Sequence, residues 1–231
     1  MGRIVVVGAG IAGLGCAMLL AGDGQEVIVL ERDPARPPSD PAEAWERWQR
    51  PGLNQFRRGH GFLPGFRAVI DAELPGISQA LQDAGGLRTN FLRDLLPAAL
   101  TGGWRDGDER FEMVTGRRPV VEAVLAAAAE PAPGVEVRRG TSVTGLVTGA
   151  SALSGVPHVT GVRTKAGELI LADLVVDTSG RRSALPDWLE DIGARRPAEE
   201  PEVPPVVHEP ALFQLLGGTP GTDVLKPVRQ G

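Results

Sequence analysis

The sequence predicts an α/β fold: a parallel sheet covered by helices, with a small antiparallel meander interrupting it. Three observations carry this prediction. The chain opens on an apolar run, Arg3-Ile4-Val5-Val6-Val7, that lacks the polar alternation of a half-exposed strand, as a parallel strand covered on both faces requires. Glycines follow at Gly8, Gly10 and Gly13, ahead of a helix-forming stretch and a second apolar strand. A strand running into a glycine turn recurs at 173–183, and before it, from residue 133, short apolar pieces alternate with Gly, Pro and Ser turns.

In the first unit each glycine has its own duty: a tight turn, close backbone approach by a diphosphate, and close contact of helix with strand. The helix expected at 11–21 aims its free amides and about +0.5 of a charge at that turn, so an anion belongs there. Ala17 keeps one helix face small, while Leu14, Met18 and Leu19 can bury against the sheet. The strand expected at 26–30 ends in Glu31, whose carboxylate can accept hydrogen bonds from ribose hydroxyls and would repel a 2′-phosphate. Glu31 alone reads as a solvated charge, and a glycine triplet alone as a turn. Strand, turn, helix, strand and acid in order within the ~30 residues of one unit point to a dinucleotide.

Composition narrows the function classes. A formal charge of -5 gives no general field for nucleic acid, and 42% hydrophobic residues over 231 positions suffice for a real core. The single cysteine, Cys16, sits inside the first helix, where a small core residue is the plain reading, and no intrachain disulfide can form. The opening residues are a core strand without leader character, and no apolar run reaches about 18 residues, so a cytoplasmic protein without a transmembrane segment is expected. No metal-ligand pattern is present. The absence of tyrosine beside 31 glycines and 20 prolines suits a GC-rich bacterial coding sequence.

After a proline-rich loop at 32–41, a short helix is expected at 42–50, with Trp45 and Trp48 sharing a face. The loop 50–66 carries Gln55, Arg57, Arg58 and His60 between glycines; these read as solvated residues or as groups reaching back to the nucleotide. Helices are expected at 64–73 and 77–83, and a loop at 101–108. Thr115 is a candidate N-cap for an alanine-rich helix at 120–130, with Pro119 tolerated in its first turn. Arg117 and Arg118 then stand at a helix N-terminus, where an anion bridging them would relieve their conflict with the dipole. Strands at 135–138, 142–147, 159–164 and 168–172 suggest the meander. Strand 173–177, the turn 178–183 and a helix at 184–190 complete a domain at 1–193. Residues 194–231, rich in proline and charge, read as a linker and disordered tail in which His208 is solvated.

Four segments together resemble the FAD-dependent oxidoreductases of the aromatic-hydroxylase type (group A flavin monooxygenases), with the related halogenases and geranylgeranyl-reductase-like proteins. They are GAGIAGLGCA with LERD, RPGLNQFRRGH, RPVVEAVL (with Val121 in place of a leucine) and DLVVDTSGRRS. The resemblance spans 1–193 and implies a Rossmann-like FAD-binding domain. It implies that Gly8, Gly10 and Gly13 admit the pyrophosphate with Ala12 at the helix start, and that Glu31 binds the adenosine ribose with Arg32 beside it. It further implies that Gln55 lies near the ribityl chain or ring, and that Arg118 contacts the phosphate or ribityl region. Val143 would touch adenine through its backbone, and Asp177 and Gly180 would shape the second turn.

Two departures qualify it. Ser179-Gly180 stands where hydroxylases have Asp-Gly, which leaves handling of an NAD(P)H electron donor open. The family's later substrate sheet and Gly-Asp motif find no counterpart, since Asp223 follows Gly221 with a threonine between them. The expectation is thus an incomplete, truncated or split member, with a separate chain as a candidate partner. The activity expected is a monooxygenase-like oxidoreductase acting on a small organic substrate. A catalytically incompetent FAD-binding fragment and an NAD-dependent dehydrogenase stand as alternatives, and no residue is singled out as catalytic.

Overall fold

Successive side chains of a strand point to opposite faces, so a run such as Ile4-Val5-Val6-Val7 is buried throughout only if both faces of its sheet are covered. The structure, a computed structural model, describes residues 1–198 apart from Gly52, Asn54, Gln55, Arg58 and Leu95. In it, β1 (Arg3–Val7), α1 (Ile11–Gly22) and β2 (Glu26–Glu31) form the first unit. There follow α2 (Pro41–Glu46), β3 (Gly59–Phe62), α3 (Pro64–Glu73), α4 (Ile77–Asp83), β4 (Leu87–Asn90), α5 (Phe91–Asp94), α6 (Ala98–Thr101), a 3-10 turn (Asp108–Phe111), β5 (Glu112–Arg117) and α7 (Arg118–Ala129). The chain continues with β6 (Val135–Arg139), β7 (Val143–Leu153), β8 (Val156–Thr164), β9 (Leu169–Leu171), β10 (Leu174–Asp177) and α8 (Leu185–Asp191).

A parallel sheet in the order β10-β1-β2-β6 lies at the centre. One face, carrying Ile4, Val6, Val27 and Val29, packs on Leu14, Ala17 and Met18 of α1 and on Val121, Leu125 and Ala129 of α7. The other, carrying Val5, Val7, Ile28 and Leu30, packs on Leu146, Val162 and Ile170 of the β7-β8-β9 meander and is flanked by Trp188 and Ile192. Each fully buried valine or leucine contributes roughly 1.5–3 kcal/mol. The strands therefore tolerate no polar position between their ends.

Several expectations need correction. The strand at 135–138 belongs not to the meander but to the parallel sheet, pairing with β2 from Val27↔Val135 to Glu31↔Arg139. A third, antiparallel sheet, β3-β5-β4, is formed by 59–62, inside the loop expected at 50–66, and by 112–117 and 87–90, for which no strand is expected from the sequence. Its short strands contain Gly59, Gly61 and Gly116, which conceal the period-2 pattern. Thr115 is no N-cap: it lies within β5, its hydroxyl on the Leu87 carbonyl at 3.3 Å, and α7 begins after Arg117 without a side-chain cap. Helix α2 stops at Glu46, started by Pro41 and by Asp40, whose carboxylate accepts from the Ala42 N–H at 2.7 Å. Trp48 hence lies beyond the helix, buried edge-on against Phe56, while Trp45 is half-buried. Cys16 is half-buried rather than buried, and burial pushes its thiol pKa up.

Arg196 pairs with Asp187 at 2.6 Å and Glu190 at 3.2 Å, so contacts with α8 extend past residue 193. The tail expected at 194–231, with His208 and Asp223, falls outside the described residues from Glu199 on. Among the described residues no helix is long and apolar enough to cross a membrane.

Candidate dinucleotide site

The turn between β1 and α1 is built by glycines under unequal constraint. Gly8 has φ +105°, and a Cβ there would meet the Thr178 carbonyl oxygen at 3.0 Å. At Gly13 a Cβ would stand 1.9 Å from the Gly8 carbonyl oxygen and 2.6 Å from Thr178 Oγ1, so helix and strand close on each other. Gly10, the residue preceding α1, has nothing within 4 Å of a Cβ position. The turn thus closes at Gly8 and Gly13 and opens at Gly10, beside the amides of the 12-residue helix α1. That shape suits a diphosphate. Ala12 is exposed in the first turn of α1.

Thr178 holds this turn in place. Its hydroxyl lies 2.9 Å from the Val7 carbonyl and 3.0 Å from that of Gly8. Its neighbour Asp177 accepts from the Ser179 N–H at 3.0 Å and from the Ser183 hydroxyl, which fixes the second turn, where Gly180 has φ +86°. Asp177 pairs with Val7 across the sheet, so both turns sit at one end of it.

Glu31, only 4% exposed, turns back to the same place. Its Oε2 accepts from the Ala9 N–H at 2.9 Å and from the Arg50 guanidinium; its Oε1 accepts from the Asp33 N–H at 2.9 Å. Burial raises its pKa, but the Arg50 charge and the two backbone donors outweigh this and hold the carboxyl below the usual range. A carboxylate accepts about four hydrogen bonds, and three donors stand here among the described residues. Beside it, Asp33 Oδ2 is buried without a hydrogen bond among the described residues, facing Arg50 Nε at 3.7 Å. Arg32 points to solvent. Segment 139–143 runs alongside, with the Thr141 N–H on the Glu31 carbonyl at 2.8 Å and Val143 half-buried at the start of β7.

Arg50 and Glu122 escaped the sequence reading. Arg50 Nη1 donates to Glu122 Oε2 at 2.5 Å and to the Ala9 carbonyl at 3.3 Å, while Nη2 serves Glu31. Burial lowers the Arg50 pKa, yet Glu122 and Glu31 raise it further and keep it charged. Glu122, 1% exposed, also accepts from Arg118 Nε at 2.7 Å. The two arginines at the start of α7 turn different ways: Arg118 to Glu122, and Arg117 over the Trp45 ring at 4.7 Å. The available signal was a lone acid in RPVVEAVLAAAA, four residues after an arginine. Gln55 and Arg58 lie outside the described residues.

The family model described as FAD dependent oxidoreductase matches residues 3–40. Protein Rv3254 of Mycobacterium tuberculosis (strain ATCC 25618 / H37Rv) is 30% identical over 211 residues, covering 85% of this chain and 41% of its own length. The chain thus spans less than half of that relative. PqsL of Pseudomonas aeruginosa, described as a probable FAD-dependent monooxygenase, superposes with TM-score 0.57 at 16% identity over 86% of this chain and 48% of its own. CtdE, solved with FAD and a substrate, gives TM-score 0.52 at 20% identity, covering 81% and 40%. The Diels-Alderase PyrE3 gives TM-score 0.57 at 22% identity, covering 81% and 34%. Over the length it shares with these solved structures the chain has their α/β fold, and its β1-α1-β2 unit lies within the stretch matched by the FAD dependent oxidoreductase model.

Proposed function

We propose that this chain binds FAD and serves as the nucleotide-binding part of a monooxygenase-like oxidoreductase. The observation that carries the reading is the turn that closes at Gly8 and Gly13 and opens at Gly10, within the residues 3–40 matched by the FAD dependent oxidoreductase family. Gly8, Gly10 and Gly13, with Ala12, receive the diphosphate; Glu31 accepts from the adenosine ribose, with Arg32 at its rim. Arg118 meets the phosphate or ribityl region, Val143 touches adenine through its backbone, and Asp177 and Gly180 hold the second turn. Gln55 serves near the ring in this reading.

When bound, FAD supplies the redox chemistry; the chain's own residues position it and exclude competing reactions. NAD(P)H as electron donor and a small organic substrate belong to the same proposal. The fold does not fix the reaction, since a Diels-Alderase shares it.

The test is the visible spectrum of the purified chain, before and after FAD reconstitution. Flavin absorbance, with FAD released on denaturation, supports the proposal. A colourless protein that takes up NAD and never FAD identifies a dehydrogenase instead. Consumption of NADPH or reduced flavin by the loaded chain then separates an enzyme from a binding fragment.

A further inference from the structure

The geometry points to Glu122 as a positioning residue that couples the Glu31 end of the site to Arg118; the inference rests on the FAD reading above. Four side chains form one line of charge, Glu31, Arg50, Glu122 and Arg118, drawn from β2, the segment after α2, and α7. Arg50 is a strut: Nη1 and Nη2 are engaged by Glu122, the Ala9 carbonyl and Glu31, and its side chain is 8% exposed. Arg118 differs. Only its Nε is engaged, by Glu122, among the described residues, and its side chain is 19% exposed.

An arginine held by Nε alone keeps its outer N–H groups for a second acceptor, in a plane fixed by the first. Glu122 supplies that first contact and, through its other oxygen, grips Arg50. Both carboxylate oxygens are thus committed, one to each arginine, on a residue that is 1% exposed and cannot draw on water instead. Glu122 therefore orients Arg118 toward an anionic ligand while reporting whether Arg50 remains on Glu31. Glu122 does not itself touch the ligand.

The experiment is a double-mutant cycle on FAD affinity, measured by calorimetric titration of the full chain: wild type, Glu122→Gln, Arg118→Ala and the double variant. Each single variant weakens FAD binding roughly tenfold, and the double is weaker than either single by no more than about twofold, because both remove one unit. If the two losses multiply, Arg118 is positioned without Glu122 and the inference fails. It fails equally if Glu122→Gln binds FAD as wild type does. Glu122→Asp, which keeps the charge, retains more affinity than Glu122→Gln, whereas equal losses contradict a positioning role. It also replaces Glu122→Gln in the cycle should the amide variant not fold. Absence of FAD binding in the wild type overturns the FAD reading itself, a result distinct from additivity in binding-competent protein.

Discussion

The two sides of the site are made from different materials. The turn between β1 and α1 uses backbone: glycines that admit or exclude a Cβ, and amides at a helix start. The flank formed by Arg50, Glu122 and Arg118 uses side-chain charge, brought together from positions up to 72 residues apart. The turn is local and tolerates little substitution at its closed points, while the flank exists only once α7 has packed against α1 and the sheet. Where geometry must be tight the chain uses glycine, and where charge must be held out of water it uses reciprocal pairing.

Four variants and a pH series can break or sharpen that contrast. The largest effect is expected in the flank. Arg50→Ala leaves Glu31 and Glu122 buried with their main cation removed, and costs about 3–5 kcal/mol in urea unfolding. A loss under about 1 kcal/mol would show that the network is solvated. Gly13→Ala comes next, because the clash is with backbone and cannot be relieved by a rotamer; about 3 kcal/mol is expected in the same assay. Thr178→Val removes the hydroxyl that bridges Val7 and Gly8 at unchanged size, and a loss of about 1 kcal/mol is expected from thermal melts. The smallest effect is that of acid. A carboxyl whose folded pKa lies below its unfolded value adds stability above the unfolded pKa, and this is lost as pH falls through the folded one. Glu31 is such a group, so stability declines below about pH 4.3, the ordinary glutamate value. In Glu31→Gln that part of the decline disappears.

The same contrast explains what the sequence made legible. The βαβ unit was readable because its signals are contiguous: an apolar run, three glycines and a terminal acid. Helices α3 and α4 were bounded by proline and glycine and fell where expected. The β3-β5-β4 sheet was hidden, since its strands are short, rich in glycine and paired across long loops. The placement of β6 beside β2 was equally invisible, because a five-residue strand carries no mark of the sheet it will join. In the sequence Arg50 stands at a helix–loop junction among other arginines, and Glu122 is the one acid of an apolar helix. Their meaning lies in each other and in Glu31, a relation no local pattern encodes.

The open point of the turn offers the sharpest measurement. A Cβ at Gly10 meets no atom of the described residues within 4 Å beyond its chain neighbours, and the backbone there is extended, yet it would occupy the place proposed for a diphosphate. Gly10→Ala should therefore unfold within about 1 kcal/mol of wild type, the cost of alanine at the position before a helix. FAD titration of the two proteins should show binding to the wild type and a loss of at least tenfold in the variant, about 1.4 kcal/mol. Equal FAD affinity in the two, or a wild type that binds NAD and not FAD, would contradict the assignment of this turn to FAD.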